Sequence, residues 1–437
     1  MSSEWRECTL GELVNIKHGF AFSGEHISKN QGKRVLVTPG NFEIGGGFKE
    51  GNAKYFHGPY PEEYVFAPSD LIVTMTDLSK TADTLGYSAK IPREESKIYL
   101  HNQRVGKVIA KSSDANLDFL YWVMRHKDYR NLVVSTATGS TVRHTSPSRI
   151  LAYSFLLPPP SQQQAIAHIL GTLDDKIELN RKTNETLEAM AKTLFKSWFV
   201  DFDPVRAKAE GRTTGLPAEI SDLFPDSFED SDLGEIPKGW EVGSLDQIGI
   251  NPRETAKPED MDSSDRYIGL EHMPRGSICL GESGQAEELE SNKNRFRKGD
   301  LLFGKLRPYF KKTGCSQFDG VCSTDIVVVR KKGEYGVGFI CCFLASDPFI
   351  DFTVAASSGT RMPRTSWKDM CEFPFAIPSK LLLCEFDKQF CHVINKITGN
   401  CIHSAYLAVL RDALLPKLIS GELRIPDAEK MLEEAGI

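Results

Sequence analysis

At 437 residues the chain is long for one ordinary domain, and length alone sets an expectation of two or three. Its 40% hydrophobic and 26% charged content is that of a water-compatible protein able to bury real cores, and the absence of any run of about eighteen apolar residues argues against a membrane-spanning helix. A formal net charge of −6 excludes a protein that coats nucleic acid through bulk charge, but not one with local basic patches.

The opening MSSEWRECTL lacks a basic segment followed by an apolar stretch, which predicts a cytoplasmic protein without membrane attachment. Nine of the ten cysteines follow residue 270, and no CxxC pair occurs, so reduced and mostly buried thiols are expected rather than a disulfide framework. Cys384, Cys391, His392, Cys401 and His403 share one helical pattern, where four ligands cannot converge, so core or surface positions are expected there and not zinc.

In chain order, residues 1–158 form a first globular portion. It holds short β-type runs such as Asp70-Leu-Ile-Val-Thr, punctuated by turn signals such as Gly45-Gly46-Gly47. A long helix is predicted over 159–200, and a mostly exposed Pro-, Asp- and Glu-rich connector over 201–237. Residues 238–378 form a second globular portion containing Asp325-Ile-Val-Val-Val, 379–420 a second long helix, and 421–437 a C-terminal tail. The order repeats because the chain is duplicated. A shift of 220 residues places Phe119-Leu120 on Phe339-Ile340, Gly139-Ser140 on Gly359-Thr360, Thr145-Ser146 on Thr365-Ser366, and Lys176-Ile177 on Lys396-Ile397. The predicted class is α+β, two copies of one unit.

Both helical stretches carry a heptad seam. Ile166, Leu170, Leu173, Ile177, Asn180, Asn184, Leu187, Ala191, Leu194 and Trp198 step by alternating fours and threes. In the second copy the seam runs Phe386, Phe390, Val393, Ile397, Asn400, Ser404, Leu407, Arg411, Leu414 and Leu418, with Arg411 the discordant member. Residues 162–198 would span about 55 Å, too long for one small domain. Two apolar stripes of this kind can bury each other as an antiparallel pair with a pseudo-two-fold axis. Asn180 and Asn400, each at the middle of its seam, are expected to meet there and fix register.

Pro158-Pro-Pro-Ser-Gln-Gln-Gln-Ala-Ile-Ala enters a helix that ends in Lys196-Ser-Trp-Phe-Val-Asp-Phe-Asp-Pro-Val205. This resembles the central conserved region of type I restriction–modification specificity subunits. Leu414-Leu-Pro-Lys-Leu-Ile-Ser-Gly-Glu-Leu423 is similar to the family's C-terminal conserved region. Gly299-Asp-Leu-Leu-Phe-Gly-Lys-Leu-Arg-Pro308 and Gly359-Thr-Arg-Met-Pro-Arg364 look like segments of its target-recognition domains. The second helix departs from the usual Pro-Pro-x-x-Glu-Gln entry, reading Pro378-Ser-Lys-Leu-Leu-Leu-Cys. The resemblance implies two target-recognition domains separated by two long antiparallel helices that act as a ruler. Each domain would read half of a bipartite, asymmetric site in double-stranded DNA. It also implies two methyltransferase subunits as partners, with translocase–nuclease subunits joining for restriction. S-adenosylmethionine, ATP and Mg²⁺ would belong to those partners, and this chain would bind no cofactor.

Residues 293–312 hold eight Lys or Arg against one Asp, interleaved with Phe296, Phe303, Tyr309 and Phe310. A basic, aromatic-bearing stretch on an acidic protein suits phosphate positioning, and Lys305, Arg307, Lys311 and Lys312 are the backbone-contact candidates. Arg143 and His144 occupy the same place in one duplicated loop as Arg361 and Arg364 in the other, where arginine can read guanine or hold phosphate. The 76–104 stretch of the first portion replaces the basic region of the second, so the two half-sites should differ.

No catalytic motif survives inspection. Gly299-Asp-Leu-Leu-Phe-Gly-Lys305 fits GxxxxGK, but Leu306 stands where a Mg²⁺-holding Ser or Thr belongs, and its middle reads as strand. No Asn-Pro-Pro-Tyr or Asp-Pro-Pro-Tyr, Gly-x-Gly-x-x-Gly after a strand, HxExxH or nucleophile elbow occurs. A non-catalytic reader is expected, against the rival readings of a fused methyltransferase–nuclease and a coiled-coil scaffold.

Overall fold

A computed structural model describes residues 5–51, 53–287, 289–359 and 362–437. The chain divides into two compact units, one of Met1–Ile177 with Tyr406–Ile437, the other of Glu178–Ala405.

In the first unit, strands Val14–His18, Val105–Ala110, Leu71–Thr74 and Ser88–Lys90 form an antiparallel sheet in that order. A second sheet orders Ile27–Ser28, Lys54–Phe56, Arg34–Val37 and Ile98–His101, the last pair parallel. Strand Arg6–Thr9 pairs with Ser154–Leu157, so the start of the chain is tied to the segment that feeds the long helix. Helices Leu117–Val123, Lys127–Ser135 and Pro147–Leu151 cover the first sheet. Their buried Phe119, Leu120, Trp122 and Tyr129 share one core with Ile166, Leu170 and Leu173 of the first long helix and with Leu407, Leu414 and Leu418 of the second.

The second unit repeats the plan. Gly249–Ile250, Ile326–Lys331, Leu301–Gly304 and Thr313–Cys315 form a sheet of the same order, including the strand expected within the GxxxxGK segment. Its other sheet has five strands rather than four: Thr255–Ala256 and Lys293–Phe296 add to one edge, and among the described residues no strand matches Ile27–Ser28 at the other. Helices Val337–Leu344, Asp347–Ala355 and Trp367–Cys371 begin 220 residues after their counterparts. The long helices do likewise, running Pro160–Phe199 and Lys380–Ile419. Proline at the first helical position costs the first one no hydrogen bond, since that N–H would be unpaired anyway.

Within each unit the long helices pack antiparallel along the expected seam. Ile166, Leu170, Leu173, Ala191, Trp198, Phe386, Phe390, Ile397, Leu407, Leu414 and Leu418 are all buried. The buried stripe is wider than a two-position seam, taking in Ile169, Phe195, Phe199, Ile394, Leu415 and Ile419, because each helix also packs against a globular portion. Arg411 has a partner that the periodicity of its own helix could not reveal. Its guanidinium bonds Asp174, which also accepts from Arg125 Nη1 at 2.7 Å; Arg125 in turn donates to Tyr121 Oη at 2.6 Å and the Gly45 carbonyl at 2.7 Å.

The middle asparagines do not hydrogen-bond each other. Asn180 Nδ2 donates to Ser404 Oγ at 3.1 Å, and Asn400 Nδ2 to Asn184 Oδ1 at 2.8 Å. The seam is polar over a full turn, so each asparagine finds the polar group directly opposite rather than its own counterpart one turn away. Both are nearly buried, where an unmade hydrogen bond costs more than a made one returns.

Just over half of the connector's residues are exposed, as expected, yet it is ordered. It folds into helix Asp203–Ala209 and a hairpin of Phe228–Ser231 with Gly234–Pro237, and Val205, Phe224 and Ile236 join the core of the second unit. Glu229, Asp230, Asp232 and Glu235 of that hairpin are exposed. The tail is likewise ordered, as helix Ile425–Glu434 with Ala428 and Leu432 buried.

One buried histidine gives the first unit a pH dependence. Burial between Phe66 and the sheet lowers the His101 pKa to about 4, overriding the hydrogen bond of Nε2 with the Val105 carbonyl at 2.9 Å; Lys17 and Lys107 add to the lowering. The unfolded chain takes up this proton near pH 6.5 and the folded chain near 4. Stability is therefore full above 6.5 and falls as pH drops through that window, by up to about 3 kcal/mol. Urea midpoints at pH 7 and pH 5 should differ in this sense, and His101→Gln should flatten the difference.

Candidate nucleic-acid interface

Both units place two segments side by side where the first sheet ends. In the first unit, strand Thr76–Asp77 pairs with Arg143–His144. The Asp77 carboxylate accepts from the Ser79 backbone at 2.6 Å and from Thr84 Oγ1 at 2.7 Å, and also from the Thr84 N–H. Burial alone would raise its pKa, but these hydrogen bonds outweigh it and hold the carboxyl below its usual range. Arg130 bonds the carbonyls of Ala82 and Leu85 from beneath, and Tyr129 Oη bonds that of Gly86 at 2.8 Å. The turn so fixed presents Leu78, Lys80 and Thr81 to solvent, Leu78 with 66% exposure.

Alongside it runs the duplicated loop. Gly139 has φ +93°, and a Cβ there would lie 2.0 Å from the Val142 carbonyl oxygen. Gly139→Ala must open the loop to relieve that clash on top of a left-handed strain of about 1–2 kcal/mol. It should therefore lower the thermal midpoint of the first unit and impair DNA binding, both readable on the full chain. Arg143 Nη1 bonds the Gly139 carbonyl at 3.2 Å while its Nε is buried with no partner, and His144 Nδ1 lies 3.2 Å from Thr76 Oγ1.

The second unit builds the same corner from other residues. Lys305 N–H donates to the Asp325 carbonyl at 3.0 Å, and the Lys305 carbonyl accepts from Thr365 at 3.1 Å, as the Met75 carbonyl does from Thr145 in the first unit at 3.0 Å. Arg307, with φ +53°, donates its N–H to the Pro363 carbonyl at 2.8 Å. Like that of Arg143, its side-chain Nε is buried without a partner. A one-turn helix, Pro308–Phe310, follows and exposes Tyr309.

The structure sorts the remaining candidates. Arg364 is exposed and pairs with Asp325 at 2.9 Å, and Lys311 is exposed and pairs with Asp347 at 2.6 Å; both are surface ion pairs that a phosphate could displace. Lys312 is spoken for. Its ammonium bonds the Leu270 carbonyl, and burial, then neighbouring Arg275, lowers its pKa. Arg361 lies outside the described residues. At the start of the basic stretch only Lys293 turns inward, buried on Ser291; Arg295 is half-buried and bonds the Asp260 carbonyl, and Arg297 is exposed and pairs with Glu254. Lys293 and Lys312 are thus withdrawn from the basic surface, while Arg297 and Lys298 remain exposed beside 305–311. The linear sequence did not mark Arg275, which stacks on Phe310 at 3.8 Å, or exposed Leu78 and Met362, because none lies in a run of like residues.

The family described as "Type I restriction modification DNA specificity domain" matches residues 2–189. The MjaIX type I restriction enzyme specificity subunit of Methanocaldococcus jannaschii is 27% identical over 75% of this chain and 73% of its own. The HindI specificity subunit of Haemophilus influenzae is 25% identical over 96% of this chain and all of its own. Among solved structures, the S subunit of a type I restriction–modification system from M. genitalium shares the fold with a TM-score of 0.55 at 16% identity, covering 96% of this chain and 97% of that one. Duplicated α+β portions, paired seams and sequence likeness over nearly the whole length agree in making the chain similar to type I restriction–modification specificity subunits, with the family's domain matched over residues 2–189.

Proposed function

We propose that this chain is the non-catalytic DNA reader of a type I complex, each globular portion engaging one half of a bipartite, asymmetric site. The observation that carries this is the repeated corner. In both units a rigid turn and a glycine-anchored loop bring an arginine to the surface with its Nε buried and unpartnered, Arg143 in one and Arg307 in the other. Both arginines are half-exposed, and a phosphate or a guanine edge can meet the accessible part of each guanidinium while its buried Nε stays inside the corner. The neighbouring side chains differ, Leu78, Lys80 and His144 against Tyr309, Lys311 and Arg364, so the half-sites differ too.

Division of labour follows. This chain holds the duplex in register through Lys305, Arg307, Lys311, Arg143, His144 and Arg364. Two methyltransferase subunits perform adenine N6 methylation on bases turned out of the stack, and translocase–nuclease subunits join for restriction. S-adenosylmethionine, ATP and Mg²⁺ are held by those partners. Half-site centres about one helical turn apart suit two readers on one face of the duplex.

Co-expression with its methyltransferase, followed by sequencing of modified adenines, tests the reading. A single split motif with unlike halves is expected, and random or absent modification with an active partner would overturn it. Residue roles separate by salt dependence. Lys311→Ala should weaken binding uniformly across sequences and reduce the salt slope by about one. Arg307→Ala should cost about 1–3 kcal/mol and relax only the half-site read by the second portion. Fluorescence anisotropy over a salt series checks both.

A further inference from the structure

The second unit holds a thiol pair that DNA reading does not use. Cys401 lies on the second long helix, half-buried, with Asn184 Nδ2 donating to its Sγ at 3.5 Å. Cys279 lies in the globular portion, buried, in the same cleft as Cys401, and the two thiols shift each other's pKa, upward for Cys279 and downward for Cys401. The backbone on that side is close as well: a Cβ on Gly281, two residues along, would sit 3.7 Å from Cys401 Sγ and 3.9 Å from its Cβ. Both sulfurs line one open cleft of about 740 Å³ together with Glu188, Lys192 and His272. Glu188 fixes the approach of the two elements, accepting from the Ser277 hydroxyl and from the Ile278 N–H at 3.1 Å.

We propose that Cys401 and Cys279 are a peroxide-responsive pair that closes into a disulfide joining the second globular portion to the second long helix. Cys401 is the attacking sulfur. The Cys279 thiol lowers its pKa to about 7 against the opposing effects of burial and Glu188, and Asn184 adds to the lowering. Cys279, whose pKa is pushed up by Cys401 and by burial, stays protonated. The Cys401 thiolate attacks one oxygen of a hydroperoxide such as H₂O₂. An S–O bond forms as the O–O bond breaks, and hydroxide leaves, taking up the proton that Cys401 had released. The Cys279 sulfur then attacks the sulfenic acid. An S–S bond forms, the S–O bond breaks, and water leaves with the Cys279 proton. Two thiols and one peroxide give one disulfide and two waters, a two-electron exchange.

Exposure alone would direct oxidation elsewhere, to Cys384 and Cys391, which face solvent on the same helix. That contrast makes the test decisive. The reduced full chain is treated with one equivalent of H₂O₂, the remaining thiols are alkylated, and non-reduced peptides are mapped by mass spectrometry. The expected dominant product is a Cys279–Cys401 linked peptide lighter by two hydrogens and lost on treatment with dithiothreitol. In Cys279→Ala, a dimedone adduct should accumulate on Cys401; in Cys401→Ser, the linked peptide should vanish. Oxidation confined to Cys384 and Cys391, with Cys279 and Cys401 recovered alkylated, would overturn the proposal. The wild-type map alone decides this even where a variant folds poorly.

Discussion

Deleting residues 179–185 together with 399–405 should shorten the gap between the two methylated half-sites by about three base pairs. Asn180 faces Ser404 and Asn184 faces Asn400, so these two segments lie opposite one another. Seven residues on each helix preserve heptad phase and remove about 10 Å of rise, against about 3.4 Å per base pair. The polar seam residues leave as pairs, so no asparagine is stranded against an apolar neighbour. The anchors at Asp174, Glu188 and Asp387 stay in place. Deleting either segment alone should instead mismatch the seam and lose methylation altogether. An unchanged gap in the paired deletion, read from modified-base sequencing, would refute the ruler.

The largest loss of stability is expected from Asp174→Ala. Arg125 is 5% exposed and Arg411 16% exposed, and Asp174 is the carboxylate between them. Removing it leaves two guanidiniums facing each other in a low-dielectric site, a change that costs about 3–5 kcal/mol when one partner of a buried pair is lost. At about 2–4 °C per kcal/mol for a unit of this size, the thermal midpoint of the first unit should fall by about 10 °C. The double variant Asp174→Leu with Arg411→Leu should recover much of this, because the seam position then carries the apolar residue its heptad asks for. A midpoint in Asp174→Ala within a degree of the parent would show that the network carries no net stability.

The long helices were legible because the same seam is written twice, 220 residues apart, and a period of seven is a strong local signal. Arg411 broke that signal, since its reason for being there is Asp174 on the other helix. The connector's exposure was legible in its Asp and Glu, but its order was not, because Val205, Phe224 and Ile236 are three anchors too irregularly spaced to form a pattern. The basic stretch shows a similar limit. Neighbours in sequence need not share a surface, and Arg297 finds its carboxylate in Glu254, some forty residues earlier. Both corner loops were visible as duplicated Gly-Ser/Thr segments. The rigidity of the first one, resting on Asp77, Arg130 and Tyr129, was not visible, because Arg130 and Tyr129 bond backbone carbonyls far away in sequence.

That rigidity has a calorimetric consequence. A turn already locked by Asp77 and Arg130 has no ordering entropy left to lose when a duplex arrives. Titration calorimetry of the first half-site should then show a heat-capacity change set by the surface brought together, without the larger negative excess that accompanies a segment folding onto its target. Association would be governed by encounter and salt, and discrimination between sequences would appear in how long the complex lasts.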